Sequence, residues 1–95
     1  MMSKIIYLDN AATTKTAPEV LEAMIPYFTE QYGNPSAIYS IASKNKQVVT
    51  EQREIIADAI GAKGNEIYFT AGGTESDNWA LKATAEAYES KGKHI

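Results

Sequence analysis

The sequence predicts an α/β fold in which three helices accompany an incomplete βαβ unit. Apolar residues recur at helical spacing over three stretches of the chain. Between the second and third stretches stands a short β-prone run, Ile67 to Phe69, and another extended run begins at His94. Strand, helix and strand in this order predict a right-handed crossover between parallel strands, with the second strand only started.

The first helix is predicted to begin beside Thr16 and Glu19, which have capping-box spacing, with Pro18 in its first turn. Its apolar stripe consists of Leu21, Met24, Ile25 and Phe28. Pro26 lacks the amide that would bond the preceding turn, so we expect a kink or pause there before the helix ends near Gly33. Residues 33–36, Gly-Asn-Pro-Ser, then form a turn.

The second helix is predicted from about residue 41 to residue 60, where Gly61 supplies its stop. A loop at 63–65 leads into the predicted strand, residues 66–70. The third helix is expected from Thr74 to about residue 90. Trp79 and Tyr88 stand at helical spacing within it, and such aromatic residues are usually part of a core.

The junction between the predicted strand and the third helix is a candidate anion site. Gly72 and Gly73 remove side chains, and Thr74 is a favourable N-cap, so free amides and the positive dipole end should lie at residues 73–75. A purely structural turn is an equal alternative, because Glu75 and Asp77 could satisfy the dipole themselves. Neither a P-loop lysine nor a dinucleotide fingerprint is present.

Composition narrows the classes of partner. The formal charge of −3, from 12 acidic and 9 basic residues, provides no basic patch for nucleic acid and no polybasic run for a membrane surface. The apolar start of the chain is too short for a signal peptide. With no cysteine there is no disulfide and no thiolate metal site, and we expect no metal.

Three motifs follow one another along the chain: Tyr-Leu-Asp-Asn-Ala-Ala-Thr-Thr at 7–14, Tyr-Gly-Asn-Pro-Ser at 32–36 and Phe-Thr-Ala-Gly-Gly-Thr-Glu-Ser-Asp-Asn at 69–78. In this order they resemble the amino-terminal signatures of the cysteine desulfurases, pyridoxal-phosphate enzymes of the class V aminotransferase group. The resemblance spans essentially the whole chain. It implies the first part of a three-layer, fold type I domain, with residues 1–33 as amino-terminal loop and first helix and residues 34–95 as the start of the cofactor-binding domain.

The resemblance assigns roles to five positions. It implies that the amides of Gly73 and Thr74, with the threonine hydroxyl, hold the phosphate of pyridoxal 5'-phosphate. It implies that the loop containing Asn10, Ala11 and Ala12 lies beside the substrate, where small side chains leave space above the cofactor. A plain packed loop is the alternative for that segment.

The resemblance also implies an activity: conversion of L-cysteine to L-alanine, with sulfur passed to an enzyme persulfide for iron–sulfur cluster or thio-cofactor assembly. It further implies a homodimer that delivers sulfur to an acceptor protein, and we expect the protein to be cytoplasmic. Family enzymes are several times longer than 95 residues, and their Schiff-base lysine, ring-stacking histidine and persulfide cysteine lie further along. We therefore expect the chain to be a fragment that carries no catalytic residue and is inactive alone.

Two further classes stay open at this stage. A selenocysteine lyase or another class V transaminase would share the phosphate anchor, and a truncated, non-catalytic piece would bind no cofactor. Lys82, Lys91 and Lys93 are not expected to form the Schiff base, because their polar neighbours indicate solvated charge. His94 belongs to the start of the next extended run, and the resemblance implies that the ring-stacking histidine lies a few residues further along. With so little sheet to cover its apolar residues, the chain alone should be marginal or aggregation-prone.

Overall fold

A computed structural model describes residues 3–95, which divide into two compact units, one ending at Val49 and the other spanning Thr50–Ile95. Residues 3–95 form four α-helices and one short 3-10 helix. They are α1 (Pro18–Met24), α2 (Pro26–Thr29), α3 (Ser40–Ile60), the 3-10 helix (Gly64–Glu66) and α4 (Gly73–Ala87). None of the helices within residues 3–95 combines the length and the apolar character needed to cross a membrane.

The predicted pause at Pro26 is confirmed, because the first helical stretch is two helices. The Ile25 amide closes α1 on the Leu21 carbonyl, and Pro26 then opens α2 without an amide of its own to bond. The predicted capping box was wrong. Ala17 occupies the N-cap position without a side-chain bond, and Pro18 follows as the first helical residue. A proline there needs no partner, since first-turn amides are unsatisfied in any helix.

The predicted turn after Gly33 is present and is held by two amide side chains. The Asn34 side-chain oxygen accepts the Ser36 amide at 2.9 Å, and buried Asn45 donates its Nδ2 to the Gly33 carbonyl at 3.0 Å. Gly33 has φ +127°, and a Cβ built on it would lie 2.7 Å from the Ile41 Cγ2. Both its conformation and its surroundings therefore require glycine.

The stop predicted at Gly61 is also confirmed and is a Schellman motif. Gly61 has φ +73° and bonds the Asp58 carbonyl at 3.4 Å, while the Ala62 amide bonds the Ala57 carbonyl at 2.8 Å. The chain then enters the 3-10 helix, where the Glu66 carboxylate accepts the Lys63 amide at 2.7 Å. The loop predicted at 63–65 is therefore partly helical.

The predicted strand at 66–70 is not formed, and the βαβ unit is absent from residues 3–95, which contain no strand. Glu66 belongs to the 3-10 helix, and Ile67 is extended, with φ −97° and ψ 127°. Extended backbone becomes a strand only when a neighbour pairs with it. Segment 67–70 is instead placed against α3 by Arg53, whose guanidinium carbon lies 5.3 Å from the centre of the Phe69 ring.

Very little apolar surface is buried. Ala42 and Ala57 are the buried hydrophobic residues of the described chain, and the accessible surface of 8886 Å² compares with about 5,400 Å² expected for a folded monomer of this mass. Trp79 and Tyr88, which were predicted to be core residues, remain 49% and 53% exposed. The helices are therefore held mainly by their own hydrogen bonds and by contacts within each unit.

Replacement of Gly33 by alanine should destabilise the first unit. The positive φ and the contact with Ile41 together predict a cost of about 1–3 kcal/mol in the free energy of unfolding. Urea unfolding of a longer polypeptide that contains this chain would measure it. Gly92→Ala is the matched control, because a Cβ at Gly92 meets nothing within 4 Å. Equal unfolding midpoints for the two variants would contradict the assignment.

Residues 1–95 by themselves should not behave as a stable monomer. Exposed apolar side chains on the helices and on segment 67–70 favour self-association over cooperative folding. Light scattering and thermal unfolding of the purified chain test this directly. A monodisperse monomer with a sharp unfolding transition would show that the exposed surface costs less than we infer.

Candidate anion site at the start of α4

The first turn of α4 begins one residue earlier than the sequence predicted. Gly72 is the N-cap, with extended backbone at φ 168° and ψ 177°, and Gly73 is the first helical residue. The Ser76 amide makes the first bond of the helix, to the Gly72 carbonyl at 3.2 Å. Thr74 is therefore a second-position residue of the helix, and its predicted N-cap role was wrong.

This start of α4 leaves backbone amides free at residues 73–75, where the sequence predicted them. The amides of Gly73, Thr74 and Glu75 precede the hydrogen-bonded ladder and have no partner among residues 3–95. The Thr74 hydroxyl is likewise without a partner in that range, while its carbonyl accepts the Asn78 side chain at 2.8 Å. A Cβ built on Gly72 or Gly73 meets nothing within 4 Å, so a ligand could approach this backbone closely.

Side chains close the turn behind those donors. The Glu75 carboxylate accepts the Ala71 amide at 2.7 Å. On the other side of the turn, the Thr70 hydroxyl lies 3.1 Å from the Gly72 carbonyl oxygen and 2.6 Å from the Ser76 hydroxyl. We call this turn, residues 70–76, the corner.

Sequence reasoning missed Thr70 and Ser76. A signal was available, because the two hydroxyl residues flank the glycine pair at a spacing of six residues. That spacing predicts a contact only if the chain turns at the N-cap so that the two side chains meet, as they do in the structure. Neither residue belongs to a periodic pattern that points to such a contact.

The positive potential of the corner comes from its backbone. Residues 66–78 include Glu66, Glu75 and Asp77 and contain no lysine or arginine. An anion here would be held by neutral amide and hydroxyl donors together with the positive end of the α4 dipole. The nearby Glu75 carboxylate opposes it, so the arrangement suits an anion whose remaining charge is neutralised by other groups.

An apolar cleft of about 410 Å³ lies beside the corner. Thr70 and Ser76 form its polar end, and the rings of Tyr68 and Trp79 meet edge to face within it, with centroids 5.3 Å apart. The aromatic pair fixes segment 67–70 against α4. The indole of Trp79 is thus a packing contact of the second unit.

The Asn10, Ala11 and Ala12 loop is an exposed turn of the first unit. The Ala12 amide bonds the Asp9 carbonyl at 3.1 Å and closes it. Gly73 and Thr74 are adjacent within the second unit. The structure thus brings the two phosphate candidates together and places the three substrate candidates in one separate turn.

The carboxy-terminal cations are in solvent. Lys93 lies 3.6 Å from Glu89 with both side chains mostly exposed, and the Lys91 ammonium stands 4.9 Å from the centre of the Tyr88 ring. Among the residues that the structure describes, no three histidine or acidic side chains gather closely enough to hold a metal ion.

The chain matches the family model described as Aminotransferase class-V over residues 6–95, and it belongs to that family. It is 57% identical to "Cysteine desulfurase IscS" of Methanosarcina thermophila, over 98% of this chain and 23% of that protein. It is 54% identical to "Cysteine desulfurase IscS" of Clostridium botulinum (strain Kyoto / Type A2), over 99% of this chain and 24% of that protein. It is 50% identical to "Putative cysteine desulfurase IscS 1" of Bacillus subtilis (strain 168), over 95% of this chain and 24% of that protein.

The chain thus spans about a quarter of the length of the curated relatives it matches. No solved structure matches it. Membership of the class V family implies the fold type I architecture. Residues 3–95 form helices and no strand, so the sheet of that architecture is not seen in them.

Proposed function

We propose that this chain is the amino-terminal portion of a pyridoxal-phosphate-dependent cysteine desulfurase. In the complete enzyme, L-cysteine is converted to L-alanine and the sulfur passes through an enzyme persulfide to an acceptor protein. The names of the relatives support this reaction over a selenocysteine lyase or a transaminase. The family assignment supports a catalytic role over a non-catalytic piece.

The observation that carries the cofactor assignment is the set of free donors at the corner. The amides of Gly73 and Thr74 and the Thr74 hydroxyl have no other partner within residues 3–95, and no side chain fills the space before them. Amides at a helix start, with a neighbouring hydroxyl, suit the oxygens of a phosphate monoester. These residues fit the phosphate of pyridoxal 5'-phosphate, and we assign it to them.

Pyridoxal phosphate, when bound, supplies an electron sink for the bonds at the substrate α-carbon. This chain's part is to hold and orient it by its phosphate. The Asn10, Ala11 and Ala12 turn would border the substrate, where two alanines keep the space open. We further propose residues 1–33 as the amino-terminal segment, residues 34–95 as the start of the cofactor-binding domain, and a cytoplasmic homodimer as the assembly.

The Glu75 carboxylate at the corner means that a bound phosphate needs positive charge from elsewhere in the enzyme. A phosphate dianion bound near Glu75 meets a like charge, and residues 66–78 contain no basic side chain to offset it. Positive groups from outside that segment must therefore complete the phosphate site. Residues 73–75 supply the direction of the donors, and positive groups outside residues 66–78 supply the countercharge.

Replacing Thr74 by valine in a full-length polypeptide that contains this chain should weaken cofactor retention. Loss of a hydroxyl bond to a charged group predicts a cost of about 1–3 kcal/mol. The dissociation constant of pyridoxal phosphate, measured by absorbance titration of the apoenzyme, gives this value. Thr74→Ser keeps the hydroxyl and is the matched control. Unchanged affinity in Thr74→Val would remove this side chain from the site.

The 95-residue chain alone should form no specific covalent link with pyridoxal phosphate. Lys82, Lys91 and Lys93 are exposed, without the desolvation that makes a lysine amine nucleophilic at neutral pH. After incubation and borohydride reduction, mass spectrometry should find at most scattered labelling of surface lysines. Stoichiometric labelling of a single lysine would show that the chain contains a nucleophile that we have not recognised.

A further inference from the structure

The hydroxyl groups of Thr70 and Ser76 form a directed bridge behind the corner. The Gly72 carbonyl oxygen, 3.1 Å from the Thr70 Oγ1, can only accept a proton, so the Thr70 hydroxyl donates to it. Thr70 has a single hydroxyl proton. The 2.6 Å contact between the two hydroxyls is therefore donated by Ser76 and accepted by Thr70.

The Gly72 carbonyl thus receives two hydrogen bonds that fix its direction. One comes from the Thr70 hydroxyl, and the other comes from the Ser76 amide at 3.2 Å. Because the peptide unit is planar and trans, the Gly73 amide points opposite to the Gly72 carbonyl. Whatever fixes this carbonyl therefore also aims the Gly73 amide, the first of the proposed phosphate donors.

Side-chain packing does not fix the orientation of the Gly72–Gly73 peptide. Gly72 and Gly73 have no side chains, and a Cβ built on either would touch nothing within 4 Å. A glycine pair loses more conformational freedom on ordering than any other pair, so an unbraced corner would sample many amide directions. The bond from the Ala71 amide to the Glu75 carboxylate restrains the Thr70–Ala71 peptide and does not reach the Gly72–Gly73 peptide. Apart from the Thr70 hydroxyl, the described bond to the Gly72 carbonyl is that of the Ser76 amide.

We propose that Thr70 and Ser76 are positioning residues that hold the Gly72–Gly73 peptide with its amide directed at the cofactor phosphate. The inference rests on the proposed phosphate site at the corner. The two hydroxyls act through the backbone and do not touch the phosphate. Holding the donor in place before binding reduces the entropy lost when the dianion is bound, which raises affinity without a new contact.

The test uses a full-length polypeptide that contains this chain, prepared without cofactor. The dissociation constants of pyridoxal phosphate and of pyridoxal, which lacks the phosphate, are measured for the parent and for Thr70→Val, Ser76→Ala and the double variant. Thr70→Val and Ser76→Ala should each weaken pyridoxal phosphate binding by about 2- to 10-fold and leave pyridoxal binding unchanged. The double variant should lose little more than Thr70→Val, because that exchange already removes both hydroxyl contacts.

Two controls separate positioning from folding. Thr70→Ser keeps the hydroxyl and should restore the parent affinity, and Thr84→Val makes the same exchange further along α4, away from the bridge. Hydrogen–deuterium exchange of the apoenzyme gives a readout independent of the cofactor. A peptide covering residues 70–76 should exchange faster in Thr70→Val and at the parent rate in Thr84→Val.

The outcomes are distinct. Equal losses for pyridoxal phosphate and pyridoxal in Thr70→Val, or no loss in either, would overturn the positioning role while leaving the phosphate site in place. Unchanged exchange at 70–76 in Thr70→Val would also overturn it. A parent enzyme that binds the two compounds equally well would overturn the phosphate site itself, and the inference with it.

Discussion

Backbone groups at helix ends lack partners within the helix, and this constraint organises most of the chain. At the end of α3, Gly61 turns the backbone so that two amides reach the last carbonyls. Before the 3-10 helix, the Glu66 carboxylate takes the Lys63 amide. At the start of α4, side chains satisfy the amide of Ala71 and the carbonyl of Gly72. The amides of Gly73, Thr74 and Glu75, which follow, receive no such partner within residues 3–95. We assign those of Gly73 and Thr74 to a phosphate.

Local hydrogen bonds contribute more to this structure than the burial of apolar side chains does. The caps and helical bonds join residues close in sequence, whereas the buried hydrophobic residues among those the structure describes are Ala42 and Ala57. The exposed apolar side chains still follow helical spacing on α1, α3 and α4, a pattern that evolves for burial. In the proposed enzyme the remaining three quarters of the polypeptide would cover these faces. The anion site depends on none of that cover for its shape.

Much of the candidate site could be predicted from the sequence. The glycine pair before a helical pattern located the free amides at residues 73–75, and the structure has them there. The capping arrangement was predicted incorrectly, because Gly72 takes the N-cap and shifts Thr74 into the helix. The Thr70 and Ser76 bridge was not predicted at all. Such a contact depends on the exact path of the turn, which local propensity does not determine.

By itself, the sequence determined the features that rest on short-range chemistry: the break at Pro26, the stop at Gly61, the turn after Gly33 and the place where α4 begins to within one residue. Tertiary contacts decided the rest. Segment 66–70 has strand composition but, within residues 3–95, no neighbouring strand to pair with, so it forms no sheet and lies beside α3. Trp79 has the pattern of a core residue yet stays half exposed. Pairing and burial both require partners distant in the chain, and no local pattern can supply them.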